Sequence, residues 1–230
     1  MSASSIRARV RAEMLDEIKA VARRHLATDG ANLSLRAVAR DMGMVSSALY
    51  RYYPSRDDLL TALIIEAYDA LGAAVETADA GADQLDPRGR WHAVCRAARD
   101  WALAHPAEYA LLYGSPVPGY AAPDDTLGPA LRPPVVLIGI LRDGLAAGRV
   151  TAPDPEELPE PLRADLAEIA AAIAPGLPEA LLARVMAGWT QLFGLISFEL
   201  FGRIKRTLPH RAEYFDHQTT LMADLIGLPR

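Results

Sequence analysis

Residues 34 to 60 hold the densest set of side chains able to act on another molecule. Ser34, Ser46, Ser47, Tyr50, Arg51, Tyr52 and Arg56 fall there, with Val45 among them. Hydroxyl and guanidinium donors suit phosphate oxygens, and such contacts position a protein on a polyanion without reading its sequence. From one face of a helix, serine and arginine also reach base edges, and a valine can meet a thymine methyl group. The rest of the chain offers less chemistry. It has no Gly-x-Ser-x-Gly, no His-Glu-x-x-His, no phosphate-binding loop and no dinucleotide glycine pattern. His25, His92, His105, His210 and His217 are not spaced as metal ligands on one helix. His92 and Cys95 lie three apart, but a pair with no further acid or histidine reads as packing. Neither an enzyme nor a metal or other cofactor is expected.

Two short helices must position these groups. Ser34 is suited to cap a helix over Leu35–Asp41, and Met42-Gly43-Met44 makes a tight turn. A second helix is expected over Val45–Tyr52, ended by Pro54. Ser55 then caps a longer helix to about Thr77, with Asp57 and Asp58 near the positive end of its dipole. Upstream, a helix over Ser5–Thr28 carries an apolar stripe of Val10, Met14, Ile18, Val21, Ala22 and His25. Asp29-Gly30-Ala31 stops it, with Gly30 suited to a left-handed cap. Val38, Ala39 and Leu49 are spaced to pack the short helices on the first one. That is the helix-turn-helix geometry, in which the second helix projects into a major groove.

The remainder keeps the 3.6-residue period, so an all-α chain is expected. Helices are read over Arg90–Ala104, Pro106–Tyr113, Asp124–Gly148, Leu162–Ala174, Glu179–Arg206 and Arg211–Ile226. Pro133-Pro134 should kink or divide the third of these, and Thr151–Pro161 should be an exposed linker. The 230 residues suffice for one large domain or two small ones. The single cysteine, Cys95, allows no intrachain disulfide and suits a reducing compartment. No secretory signal is evident. The apolar run Val135–Leu141 is too short to span a bilayer, and Met186–Gly202 is broken by Gln191 and Glu199. A cytoplasmic protein with no membrane partner is expected. Net charge is −5, but residues 1–60 hold ten Arg or Lys against seven Asp or Glu. A basic head on an acidic body is the layout expected when only one end meets phosphate.

The segment from Ser34 to Leu60 resembles the DNA-binding head of the tetracycline-repressor (TetR) family. Ser34 opens the second helix, Ala39 precedes the turn, and Gly43 sits in it. Leu49-Tyr50 comes late in the recognition helix, Tyr52-Tyr53 follows, and Ser55-Arg56-Asp57-Asp58-Leu59-Leu60 completes the pattern. The resemblance covers residues 9–70. It implies a head of residues 1–54, extending as a family-type domain to about 72, and a regulatory and dimerisation domain over 55–230. It implies phosphate contacts from Ser34, Tyr50, Tyr52 and Arg56, and base contacts from Val45, Ser46, Ser47 and Arg51. Tyr53 is expected in the core. Two positions depart from the pattern. Val45 stands where a small polar cap is usual, which leaves the register of the recognition helix open. Arg56 replaces lysine and adds a forked donor set. Arg7, Arg9 and Arg11 are read either as an arm reaching the duplex or as a solvated start.

Further on, His105–Gly114 and Trp189–Gly202 resemble one subgroup of TetR C-terminal domains, known for Trp followed by His-Gly. Phe193 stands here where that histidine would be. Trp91, Trp101, Tyr109, Tyr113, Trp189 and Phe193, with Phe198, are candidates to line a ligand cavity, with ordinary core as the other reading of each. Phe193, Ile196, Leu200, Ile204, Leu221 and Leu225 are candidates for a homodimer interface in the last two helices. The resemblance implies a DNA-binding regulator, a repressor released from a palindromic operator by a small hydrophobic or aromatic ligand. A ligand-dependent activator and a helical small-molecule carrier are the alternatives. An architectural DNA binder would need a far more basic surface.

Overall fold

The computed structural model describes residues 3–29, 33–154 and 158–229. Among them are ten α-helices, a single 3-10 turn at Asp124–Thr126 and no strand, as the helical period requires. The chain condenses into two compact units. One comprises Met1–Asp69 and His105–Pro129, the other Ala70–Ala104 and Ala130–Arg230.

The first unit contains α1 (Ala3–Asp29), α2 (Leu35–Asp41), α3 (Ser46–Leu49), the start of α4 (Arg56–Ala80), and α6 (Pro106–Tyr113). Its core is Ile18, Val21, Val38, Ala39, Leu49, Leu59 and Leu60. The α1 stripe begins later than expected. Val10 is half exposed, and the mostly buried His25 also places Nε2 2.8 Å from the Asp41 carboxylate. Gly30, the expected cap, lies outside the described residues.

Ser34 caps α2, its hydroxyl oxygen accepting from the Ala37 N–H at 3.4 Å. Gly43, at φ +66°, ends that helix. The Met44 N–H reaches the Ala39 carbonyl at 2.8 Å and the Gly43 N–H reaches that of Arg40 at 3.0 Å. These are the two bonds of a Schellman cap, which needs a left-handed residue where glycine carries no Cβ penalty. The next helix is shorter than expected, regular only over Ser46–Leu49. Val45 contributes no side-chain cap. The last turn tightens into 3-10 bonds, Arg51 N–H to Ala48 and Tyr52 N–H to Leu49. Ser55 closes α4 with a reciprocal cap: its oxygen accepts from the Asp58 N–H, and its hydroxyl donates to the Asp58 carboxylate.

α6 brings Ala107 and Leu111 onto the same core, with Val117 and Tyr120 from the loop after it. Tyr120 hydrogen-bonds Thr61 at 2.9 Å.

The second unit contains the rest of α4, then α5 (Pro87–Ala104), most of α7 (Leu127–Ala146), α8 (Glu160–Ile173), α9 (Glu179–Leu200) and α10 (Arg211–Ile226). α9 packs on α5, α8 and α10. Trp91 is fully buried and its indole donates to the Thr219 carbonyl at 3.0 Å. Gly188 makes room for it: a Cβ there would lie 2.8 Å from Ile226 and 3.0 Å from the Trp91 ring. The buried Arg90 ties α4, α5 and α7 together through Asp79 and Asp143.

Two helices differ from expectation. α7 runs through Pro133-Pro134 without being divided there. Both rings are buried inside an unbroken helix, so packing compensates the two missing N–H donors. α9 stops at Leu200 rather than Arg206, because Gly202 turns left-handed at φ +72° and the Arg203 N–H bonds back to the Phe198 carbonyl. Of the expected linker, residues 155–157 lie outside the described set, and Thr151–Asp154 has no regular structure.

Candidate nucleic-acid interface

α3 has one side that it cannot expose. Leu49 is fully buried in the head core and anchors the helix. The opposite side then faces out: Val45 is 71 % exposed, and Ser47, Tyr50 and Arg51 are exposed with it. Ser46 and Tyr52 are half-buried on the flanks, and Tyr53 is buried, as expected. Burial pushes the Tyr53 hydroxyl above its ordinary range, so it stays protonated.

Beside this face lies a cleft of ≈ 300 Å³ lined by Leu33, Ser34, Leu35, Arg36, Tyr50 and Arg56. Three elements converge to form it: the cap of α2, the end of the α3 turn and the first residue of α4. Ser34 accepts a backbone bond, which leaves its hydroxyl hydrogen available to an outside acceptor. Arg56 donates through Nε to the Leu33 carbonyl at 3.2 Å, and its Nη1 is 3.7 Å from Asp57. Three of the four expected phosphate ligands therefore share one cleft. The fourth, Tyr52, sits apart with the Arg11 guanidinium 5.1 Å from its ring centre.

Arg36 belongs to this cleft and was not among the expected residues. Its only signal in the sequence is its place two residues after the Ser34 cap. The N-terminal arginines form no arm. Arg7, Arg9 and Arg11 lie within α1, Arg9 near Glu13, and Arg11 also reaching the Arg51 carbonyl at 3.4 Å. The arrangement can grip phosphate from the cleft while presenting valine, serine and arginine to base edges, and a helix fits the width of a major groove.

The six aromatic candidates are distributed over the two units. Tyr109 and Tyr113 belong to the first unit, where Tyr113 meets Tyr68 edge-on at 6.2 Å. Trp91, Trp101, Trp189 and Phe193 belong to the second. Trp91 is core. Trp189 is half-buried, edge-on to Phe193 at 6.1 Å, and its indole N–H is buried with no acceptor among the described residues.

The expected interface positions also divide. Phe193 and Ile196 are interior residues of the monomer, while Leu221 and Leu225 are exposed. Phe198 in α9 and Phe201 just after it are exposed as well. A groove of ≈ 260 Å³ runs here, lined by Gln191, Gly194, Leu195, Phe198, Ile204 and Tyr214.

Known proteins match along most of the chain. The model of bacterial regulatory proteins of the tetR family matches residues 18–63, and that of the tetracyclin repressor-like C-terminal domain matches residues 91–222. The HTH-type transcriptional regulator Rv1816 of Mycobacterium tuberculosis is 38 % identical over 222 residues, covering 92 % of this chain and 91 % of its own. The crystal structure of SCO4313, described as a regulatory protein, is 32 % identical with a TM-score of 0.77, covering 94 % of this chain and 98 % of its own. RolR, solved in complex with resorcinol, is 16 % identical with a TM-score of 0.54, covering 97 % and 98 %; it shows a shared fold.

Proposed function

The chain belongs to the tetR family of bacterial regulatory proteins and is a DNA-binding transcriptional regulator, and from that premise we propose that it is a cytoplasmic repressor that binds a palindromic operator as a homodimer and is released by a small aromatic molecule. The observation that carries the DNA-binding assignment is the outward face of α3 set against the fully buried Leu49, with the Ser34–Arg36–Tyr50–Arg56 cleft beside it. In this reading Ser34, Arg36, Tyr50 and Arg56 grip the backbone. Val45, Ser47 and Arg51, with Ser46 at the edge, read bases. Tyr52 with Arg11 supports the end of the recognition turn.

The dimer follows from what a short helix can do. α3 reads too few base pairs alone, so two copies are needed about one helical turn apart, roughly 34–36 Å. The exposed Leu221, Leu225 and Phe198, with the groove beside Tyr214, give α9 and α10 an apolar outer side suited to an intersubunit four-helix bundle.

For the signal, the indole N–H of Trp189 beside the Phe193 ring, with no acceptor among the described residues, suits a flat ligand carrying an acceptor oxygen. The resorcinol bound by RolR is a molecule of this class. Switching from 1:99 to 99:1 occupancy requires about 5.5 kcal/mol of differential binding between the two states.

Fluorescence anisotropy on a labelled operator duplex, titrated with resorcinol and other small phenols, tests this. A phenol is expected to lower operator affinity in the wild type, and Trp189→Leu to blunt that response. Full release in the Trp189→Leu variant would remove Trp189 from the ligand site.

A further inference from the structure

Most cations of the second unit sit on carboxylates. Arg88 meets Asp224 at 2.7 Å, Arg96 meets Asp216 at 2.9 Å, and Arg132 meets Glu76 at 2.7 Å. The turn between α9 and α10 breaks this pattern. From Leu200 to Ala212 the sequence holds Arg203, Lys205, Arg206, His210 and Arg211 and no acidic residue. Arg211 is 3.7 Å from Glu199. Arg203, Lys205 and Arg206 are exposed and have no ion-pair partner among the described residues.

The turn that presents them is ordered. Gly202 and the Arg203-to-Phe198 bond start it, and the Thr207 and Leu208 N–H groups both bond the Ile204 carbonyl, at 3.1 and 2.9 Å. Ile204 and Leu208 are half-buried, and the three cations lie between and around them on the solvent side. Both flanks are pinned to α5. The Arg99 guanidinium holds Glu199 with two bonds of 2.8 and 2.7 Å and lies 5.3 Å from the Phe215 ring centre. Three like charges within four residues repel one another, and that cost is relieved when a polyanion supplies the missing counter-charge.

We propose that the Arg203–Lys205–Arg206 turn is a second phosphate-binding surface, outside the helix-turn-helix, that engages the backbone of DNA without reading its sequence. Two guanidinium forks and an ammonium group suit adjacent phosphates. The proposal rests on the DNA-binding reading above, and a homodimer carries two copies of the turn.

The test compares the full-length wild type with the triple variant R203Q/K205Q/R206Q. Both are titrated against a short operator duplex, a random-sequence duplex and phosphatidylserine vesicles over a range of KCl concentrations. Circular dichroism and size-exclusion chromatography check that the variant keeps its fold and oligomeric state. The variant is expected to bind both duplexes more weakly, with a log–log salt slope reduced by about 0.9 for each phosphate it no longer neutralises, on the order of two to three per subunit. R203K/R206K is expected to keep the wild-type slope. Equal affinity and slope for wild type and triple variant would overturn the proposal and leave the head's role standing. So would a loss confined to binding of phosphatidylserine vesicles, which would assign the turn to a membrane surface. A wild type that binds neither duplex would overturn the DNA-binding reading itself, and this proposal with it.

Discussion

The Arg56 guanidinium is oriented by the Leu33 carbonyl before any phosphate arrives. Removing it therefore has two effects. Arg56→Ala should weaken binding to every DNA sequence and flatten the salt dependence by about one unit of log–log slope. It should also lower stability by about 0.5–1.5 kcal/mol, the usual worth of one hydrogen bond. Salt titrations and denaturant melts separate the two, and an unchanged slope would remove Arg56 from the phosphate ligands. At this scale the sequence was most legible where one residue type answers a local need. Ser34 as a cap, Gly43 at a left-handed position and Tyr53 in the core could all be read from their neighbours. Arg36 could not. Its place in the cleft depends on Tyr50 and Arg56, which come from two other elements. Nor could the pairing of His25 with Asp41, sixteen residues apart on separate helices.

Helix ends show the same division. Gly202 stops α9, but its left-handed backbone is visible only once the chain is folded, since a mid-helix glycine looks much the same in sequence. Pro133 and Pro134 look like a break and are absorbed by burial. α3 is short because its last turn tightens into 3-10 bonds, and at its other end Val45 offers no side-chain cap. Val45→Ser should therefore stabilise the head by about 1 kcal/mol, the usual worth of such a cap, and the rise in Tm measures it. No gain would mean that the α3 N–H groups are already satisfied by water. Within the α5–α10 packing, burial, with Arg88 and Arg96 nearby, holds the His92 imidazole below the usual histidine range. Its folded pKa is lowered, so its contribution to stability is complete above the unfolded value near 6.5 and is lost as pH falls below it, where only the unfolded chain takes up the proton. Melting curves from about pH 7 to about pH 5 should show the wild type losing more Tm than His92→Gln. Parallel curves would contradict this.

For the whole molecule, the helical class and the head were legible because both follow from short-range patterns, period and capping. Packing over long sequence distances was not. The residues around α6 join the N-terminal helices, and no local pattern marks that docking. Although the chain carries a net charge of −5, Arg36 and Arg40 of α2 and Arg51 just after α3 are exposed on its head. In the proposed function this face reads DNA as a pair. In-vitro selection from random duplex DNA with the full-length protein tests it most directly, run beside Arg51→Ala and Leu221→Glu/Leu225→Glu. The wild type should enrich a palindrome with half-sites about one helical turn apart, Arg51→Ala an altered half-site, and the Leu221/Leu225 variant no palindrome. Failure of the wild type to enrich any palindrome, or a motif identical in all three proteins, would contradict it.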